Sequence, residues 1–108
     1  MQCHQFKLLV QSDGFRFAGY CEHDTVHIAW DCLMLHLRTH DFRRVVRLLE
    51  EGVTELNFRV IRDGNHCALV PQENGFYQLW CGDIMLLLDS MDFLNFVDLA
   101  RTAARQIN

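Results

Sequence analysis

Apolar residues fall at every second position along most of the chain, and twice the spacing changes to that of a helix. Phe6, Leu8 and Val10 predict a first strand. Ser12-Asp13-Gly14 predicts a hairpin turn, since Asp-Gly suits the left-handed backbone of tight turns. Phe15, Phe17 and Gly19 predict a second strand, and the polar run Cys21-Glu22-His23-Asp24 ends it. Val26, Ile28 and Trp30 predict a third strand, linked by Asp31-Cys32 to a fourth with Leu33, Leu35 and Leu37. The register that matches apolar with apolar sets Trp30 opposite Leu33, Ile28 opposite Leu35 and Val26 opposite Leu37. On the other face it sets His27 opposite His36. Phe42, Val45, Val46 and Leu49 then recur at helical spacing. Thr39 is the expected N-cap and Gly52 the expected C-terminal cap of a helix of about three turns.

The cycle repeats. Leu56, Phe58 and Val60 predict a strand, Asp63-Gly64-Asn65 a turn, and residues 67–70 a strand stopped by Pro71. Two strands follow at 76–80 and 84–88. Ser90 is the expected N-cap of a last helix, with Phe93, Phe96, Val97, Ala100 and Ala104 on its apolar side. At an offset of 51, Met34, Leu35, Leu37, Asp41, Phe42, Val46 and Leu48 meet identical residues, and Thr39 meets Ser90. At an offset of 50, Asp13-Gly14 meets Asp63-Gly64. The fold class expected is α+β: two tandem ββββα units arising by internal duplication, with antiparallel hairpins and two helices packed on the sheets. The chain reads as one domain, 1–108, of two similar halves at about 1–52 and 53–108. A half of that size buries too little surface to be stable alone.

Half of the 108 residues are hydrophobic, so a core without staples is expected. The net charge of −4 argues against a nucleic-acid partner held by overall basicity. No run approaches the length of a membrane span, and the opening residues lack the apolar run and cleavage site of a secretory leader. Five cysteines, Cys3, Cys21, Cys32, Cys67 and Cys81, are an odd number with no CxxC pair. Free thiols in a reducing compartment, hence the cytoplasm, are expected.

Chemistry-bearing side chains concentrate in the first half, which holds His4, His23, His27, His36 and His40. The offset of 51 replaces Cys21 by Gln72, His23 by Asn74, His27 by Gln78 and His36 by Leu87. The sharpest reading is a metal set of Cys21, His23, His27 and His36, with Cys3 as a substitute if the first strand lies alongside. Thiolate and imidazole suit zinc. The competing reading is that the histidines sit on a half-exposed sheet face and bind nothing. Arg38, Arg43, Arg44 and Arg47 form a basic patch that suits an anion or an acidic partner, or simply the solvated side of a helix. A cysteine nucleophile would need a base beside it, and Cys32 has none legible in the sequence. Phosphate-binding and hydrolase motifs are absent. Phe15, Phe17, Tyr20, Phe76, Tyr77 and Trp80 lie on predicted strands, where some would cover a partner surface.

The run CEHDTVHIAWDCLMLHLRTHDFRRVVRLLE, residues 21–50, resembles a pattern of small bacterial proteins of unknown function. That pattern has a Cys-Glu-His-Gly turn, a Val-His-Leu-x-Trp strand, a leucine-alternating strand and an acidic-Phe-Arg helix start. Asp24 stands where the pattern has glycine. The resemblance implies a bacterial origin and assigns no activity or residue role. The function expected is a small non-enzymatic protein-interaction or accessory module, self-associating as a homodimer through a sheet edge or aromatic face and needing no cofactor. The alternative is a zinc-type metal-binding protein using the first-half Cys/His set.

Overall fold

The structure, a computed structural model, describes residues 3–54, 59–64 and 67–107. Its elements run β1 (Phe6–Asp13), β2 (Arg16–Cys21), β3 (Thr25–Trp30), β4 (Leu33–Arg38) and α1 (Thr39–Thr54). They continue with β5 (Ile61–Asp63), β6 (Cys67–Pro71), β7 (Tyr77–Cys81), β8 (Ile84–Leu88) and α2 (Ser90–Gln106). The strands form two antiparallel four-stranded sheets, ordered β1-β2-β3-β4 and β5-β6-β7-β8. This is an α+β protein in which ββββα occurs twice.

Alternation sets the faces of each sheet. On one face of the first sheet Ala18, Val26, Ile28 and Leu35 are almost wholly buried. The pairs Val26–Leu37, Ile28–Leu35 and Trp30–Leu33 hold, and His27 lies opposite His36. The same register recurs 51 residues on, as Tyr77–Leu88, Leu79–Leu86 and Cys81–Ile84. Val10–Ala18 likewise recurs as Ile61–Leu69. The register of β1 on β2 shifts between Gln11 and Asp13, which adds one residue before the turn. That extra residue is why Asp-Gly repeats at 50 while the strands repeat at 51. It also corrects the predicted fifth strand, which begins at Ile61. Ile61 is 6% exposed and Val60 is 46% exposed. Leu56 and Phe58 lie outside the described residues.

Four turn positions adopt left-handed backbone in matching places. Asp24 (φ 55°) corresponds to Gly75 (φ 85°), and Asp31 (φ 57°) to Gly82 (φ 62°). This conformation costs most L-residues about 1–2 kcal/mol and glycine almost nothing. Aspartate tolerates it when its side chain is locally bonded. The Asp24 carboxylate accepts from the Tyr20 hydroxyl at 2.6 Å and from the Thr39 hydroxyl at 2.7 Å. Asp31 accepts twice from the Arg16 guanidinium, at 2.9 and 3.1 Å.

The helix starts differ from the sequence expectation. Thr39 does not cap its own helix; its N–H donates to the Asp24 carbonyl at 3.1 Å and its hydroxyl to Asp24 as well. In the copy the Ser90 hydroxyl donates to the Gly75 carbonyl at 2.9 Å. The cap of α2 is Asp89, whose carboxylate accepts from the Asp92 N–H at 2.7 Å. Gly52 is not a C-terminal cap either, since α1 continues to Thr54. A side chain there would run into Leu69 and approach Phe93, so the glycine is kept for close packing.

The chain forms two compact units, Met1–Arg43 with Asp98–Asn108, and Arg44–Val97. Each consists of one sheet, the start of the helix that follows it and the end of the other helix. These units do not coincide with the sequence halves 1–52 and 53–108. In the first unit Arg43 donates to the Ile107 carbonyl at 3.2 Å. In the second, Tyr77 stacks on Phe93 with ring centroids 4.2 Å apart.

Gly82 has open space around it and a left-handed φ, whereas Gly14 has open space and no positive φ. Gly82→Ala is therefore expected to lose about 1–2 kcal/mol of stability through backbone strain alone. Gly14→Ala is expected to lose none. Urea denaturation of the two variants checks this, and equal midpoints would refute the account of the turns.

Candidate functional site

The face of the first sheet that carries His27 and His36 holds the chemistry. β3 presents Thr25, His27 and Ala29 there, β2 presents Cys21, Gly19 and Phe17, and β4 presents Met34, His36 and Arg38. β1 runs along β2 with Phe6 opposite Cys21. The Phe6 ring lies over Gly19, where any side chain would collide with it, and meets the His27 ring edge-on at 5.4 Å. Phe6 thus shelters His27 and the strand end at Cys21.

A carboxylate fixes the approach of the N-terminal segment. The two oxygens of Glu22 accept from consecutive backbone N–H groups, His4 at 2.7 Å and Gln5 at 2.6 Å. Charge-assisted bonds of this kind are among the stronger ones. The His4 amide first, then Glu22's own amide and that of Gln5, hold the Glu22 carboxyl at about 2, well below its ordinary 4.5. The clip carries Cys3 over the sheet. Its Sγ lies 3.6 Å from His27 Nε2. Cys3 Sγ, Cys21 Sγ and a His27 ring nitrogen all lie within 4.8 Å of one another. Cys21 is 2% exposed, Cys3 and His27 half-buried. A hydrogen bond with Cys21 is the main cause that raises the Cys3 thiol above its ordinary value. Burial, then the neighbouring His36 charge, lowers His27.

Of the four metal ligands expected from sequence, the structure brings Cys21 and His27 together and adds Cys3. His36 touches His27 ring to ring, with centroids 4.6 Å apart, but it is exposed and stands outside the three-membered group. His23 turns to Glu22, its Nε2 3.2 Å from Oε1, in a second group made of Cys3, Glu22 and His23. The reason is strand geometry. The turn reverses the chain between Cys21 and Thr25, so His23 projects from the turn rather than from the sheet face. Glu22 is the residue that sequence reasoning passed over. Its only signal is a place in the polar break, next to a strand end that β1 has to pass.

Two of the four arginines are engaged. Arg43 bonds the Ile107 carbonyl, and Arg44 pairs with Asp63 at 3.3 Å. Arg38 and Arg47 are exposed. Among the other thiols, Cys32 is exposed. Cys81 is buried and pushed up to about 12 by burial and by Cys67, which leaves it a poor nucleophile at neutral pH.

Compared with models of protein families, with curated proteins and with solved structures, the chain matches none. The class that fold and site define is an α+β protein of two ββββα units with a Cys/His group on one of them.

The Glu22 clip sets a pH dependence. Because folding lowers this carboxyl, its contribution is complete above the unfolded value of 4.5. It is lost as pH falls toward about 2. A carboxyl titration followed by NMR should show Glu22 as strongly depressed. Glu22→Gln should speed amide exchange at His4 and Gln5 at neutral pH. An ordinary Glu22 titration with unchanged exchange would remove the clip.

Proposed function

We propose that the protein is a small non-enzymatic interaction or accessory module that self-associates through the exposed face and edge of its second sheet. One observation carries this reading, the composition of that face. Trp80, Met85 and Leu87 are 37%, 38% and 53% exposed, although all three belong to regular strands. Trp80 pairs with Met85, and Leu87 pairs with Gln78, so the three are neighbours. Trp80 borders a cleft of about 300 Å³ with Ala68, Val70 and Arg62, of a size to take a partner side chain.

The edge supports the same reading. β8 is an edge strand with the sequence IMLLL, carrying neither charge nor proline. Natural edges are usually blunted by such residues or by bulges. β1, an edge of the first sheet, has Lys7, Asp13 and two register irregularities. A second copy pairing antiparallel along β8 would satisfy its outward backbone groups and bury Met85 and Leu87. Such a contact closes as a twofold dimer. The setting we infer is the bacterial cytoplasm, from the resemblance of residues 21–50 and from the five free cysteines. No described helix is long and apolar enough to cross a membrane.

Light scattering on the parent chain should give the mass of a dimer in concentrated solution. Leu87→Lys, which puts a charge into the contact, should raise the dimer Kd by about tenfold or more and leave the circular dichroism unchanged. A parent that stays monomeric at every concentration would contradict the proposal.

A further inference from the structure

We propose that the first unit holds a zinc-type metal ion on the Cys3 and Cys21 thiolates and the His27 imidazole. The three come from separate places, the segment before β1, the end of β2 and the middle of β3. Tertiary structure alone brings them together, and it turns their ligand atoms toward one another.

The spacing fits an ion. With Zn–S near 2.3 Å and Zn–N near 2.0–2.1 Å, a tetrahedron has S···N edges of about 3.5 Å and an S···S edge of about 3.8 Å. Cys3 Sγ and His27 Nε2 are 3.6 Å apart, and no separation within the group exceeds 4.8 Å. Side-chain movement of under about an ångström therefore closes the set around an ion with these bond lengths. Two thiolates and one imidazole favour zinc over magnesium or calcium, which prefer oxygen. Binding displaces one proton from each thiol.

The neighbouring group of Cys3, Glu22 and His23 is the weaker competitor. Both Glu22 oxygens already hold backbone amides, and Glu22 and His23 are exposed. Glu22 acts instead as a positioning residue, because it fixes the backbone that follows Cys3. Three protein ligands leave a fourth position for water. The second unit has Gln72 and Gln78 where Cys21 and His27 stand, so one ion per chain is expected.

Cobalt(II) added to reduced, metal-free protein lacking a histidine tag tests this. The expected result is saturation at one cobalt per chain, with tetrahedral d–d bands and thiolate-to-cobalt charge transfer that zinc abolishes. Cys3→Ser alters a half-buried residue outside the strands and should leave the circular dichroism unchanged. It should weaken binding by about tenfold or more, the loss typical even of residues one step removed from a metal, and reduce the charge-transfer band. His36→Gln should bind cobalt as the parent does. The proposal is overturned if cobalt shows no charge transfer, if Cys3→Ser binds like the parent, or if His36→Gln abolishes binding.

Discussion

In each unit the first residue of the helix donates to the carbonyl of a left-handed residue fifteen positions upstream, Thr39 to Asp24 through its N–H and Ser90 to Gly75 through its hydroxyl. The tie fixes where the helix begins relative to the hairpin turn between the second and third strands. Everything downstream inherits that placement. The turn must be left-handed for its carbonyl to point at the helix, which restricts the residue to glycine or a locally bonded aspartate. The two copies choose differently. Gly75 relies on conformational freedom. Asp24 relies on bonds from Tyr20 and Thr39, which lower its carboxyl below the ordinary value.

On this shared frame the two sheet faces diverge. The first sheet places His27 and His36 where the second has Gln78 and Leu87. It also has Gly19 where the second has Val70. That glycine leaves room for the Phe6 ring over the sheet, and the Glu22 carboxylate then holds the preceding segment beside it. Cys3 reaches His27 as a result. The second sheet presents Trp80, Met85 and Leu87 in the matching region, which makes it apolar and exposed. One copy thus gathers thiols and an imidazole on its face and the other exposes apolar side chains, with no change in the register of the last two strands.

Much of the fold was legible because alternation and register are local properties of the sequence. The pairing of His27 with His36 follows from matching Ile28 with Leu35. What escaped depends on contacts that the sequence does not order. Gly52 looked like a helix end because nothing in the sequence brings Leu69 near it. Val60 looked like a strand residue because it alternates with Leu56 and Phe58. Thr39 looked like a cap because its partner lies fifteen residues upstream. The Cys/His set was half legible. Cys21 and His27 stood out and Cys3 was a substitute on condition that β1 lies alongside, which it does; the two backbone amides on Glu22 that carry it there are a bond that no residue pattern announces. His23 and His36 were drawn in by sequence proximity and by pairing; His23 groups with Cys3 and Glu22 instead, and His36 stands outside both groups.

The central claim is that similar scaffolds carry different chemistry, and that the first is completed by its docked N-terminal segment. Zinc added to isotopically labelled, reduced protein tests it residue by residue through the amide NMR spectrum. The account predicts shifts at Cys3, Cys21 and His27 and at their neighbours Phe6 and Gly19, with Gln72, Gln78 and Leu87 unmoved. Shifts shared equally by the two sheets, or confined to His23 and His36, would contradict it.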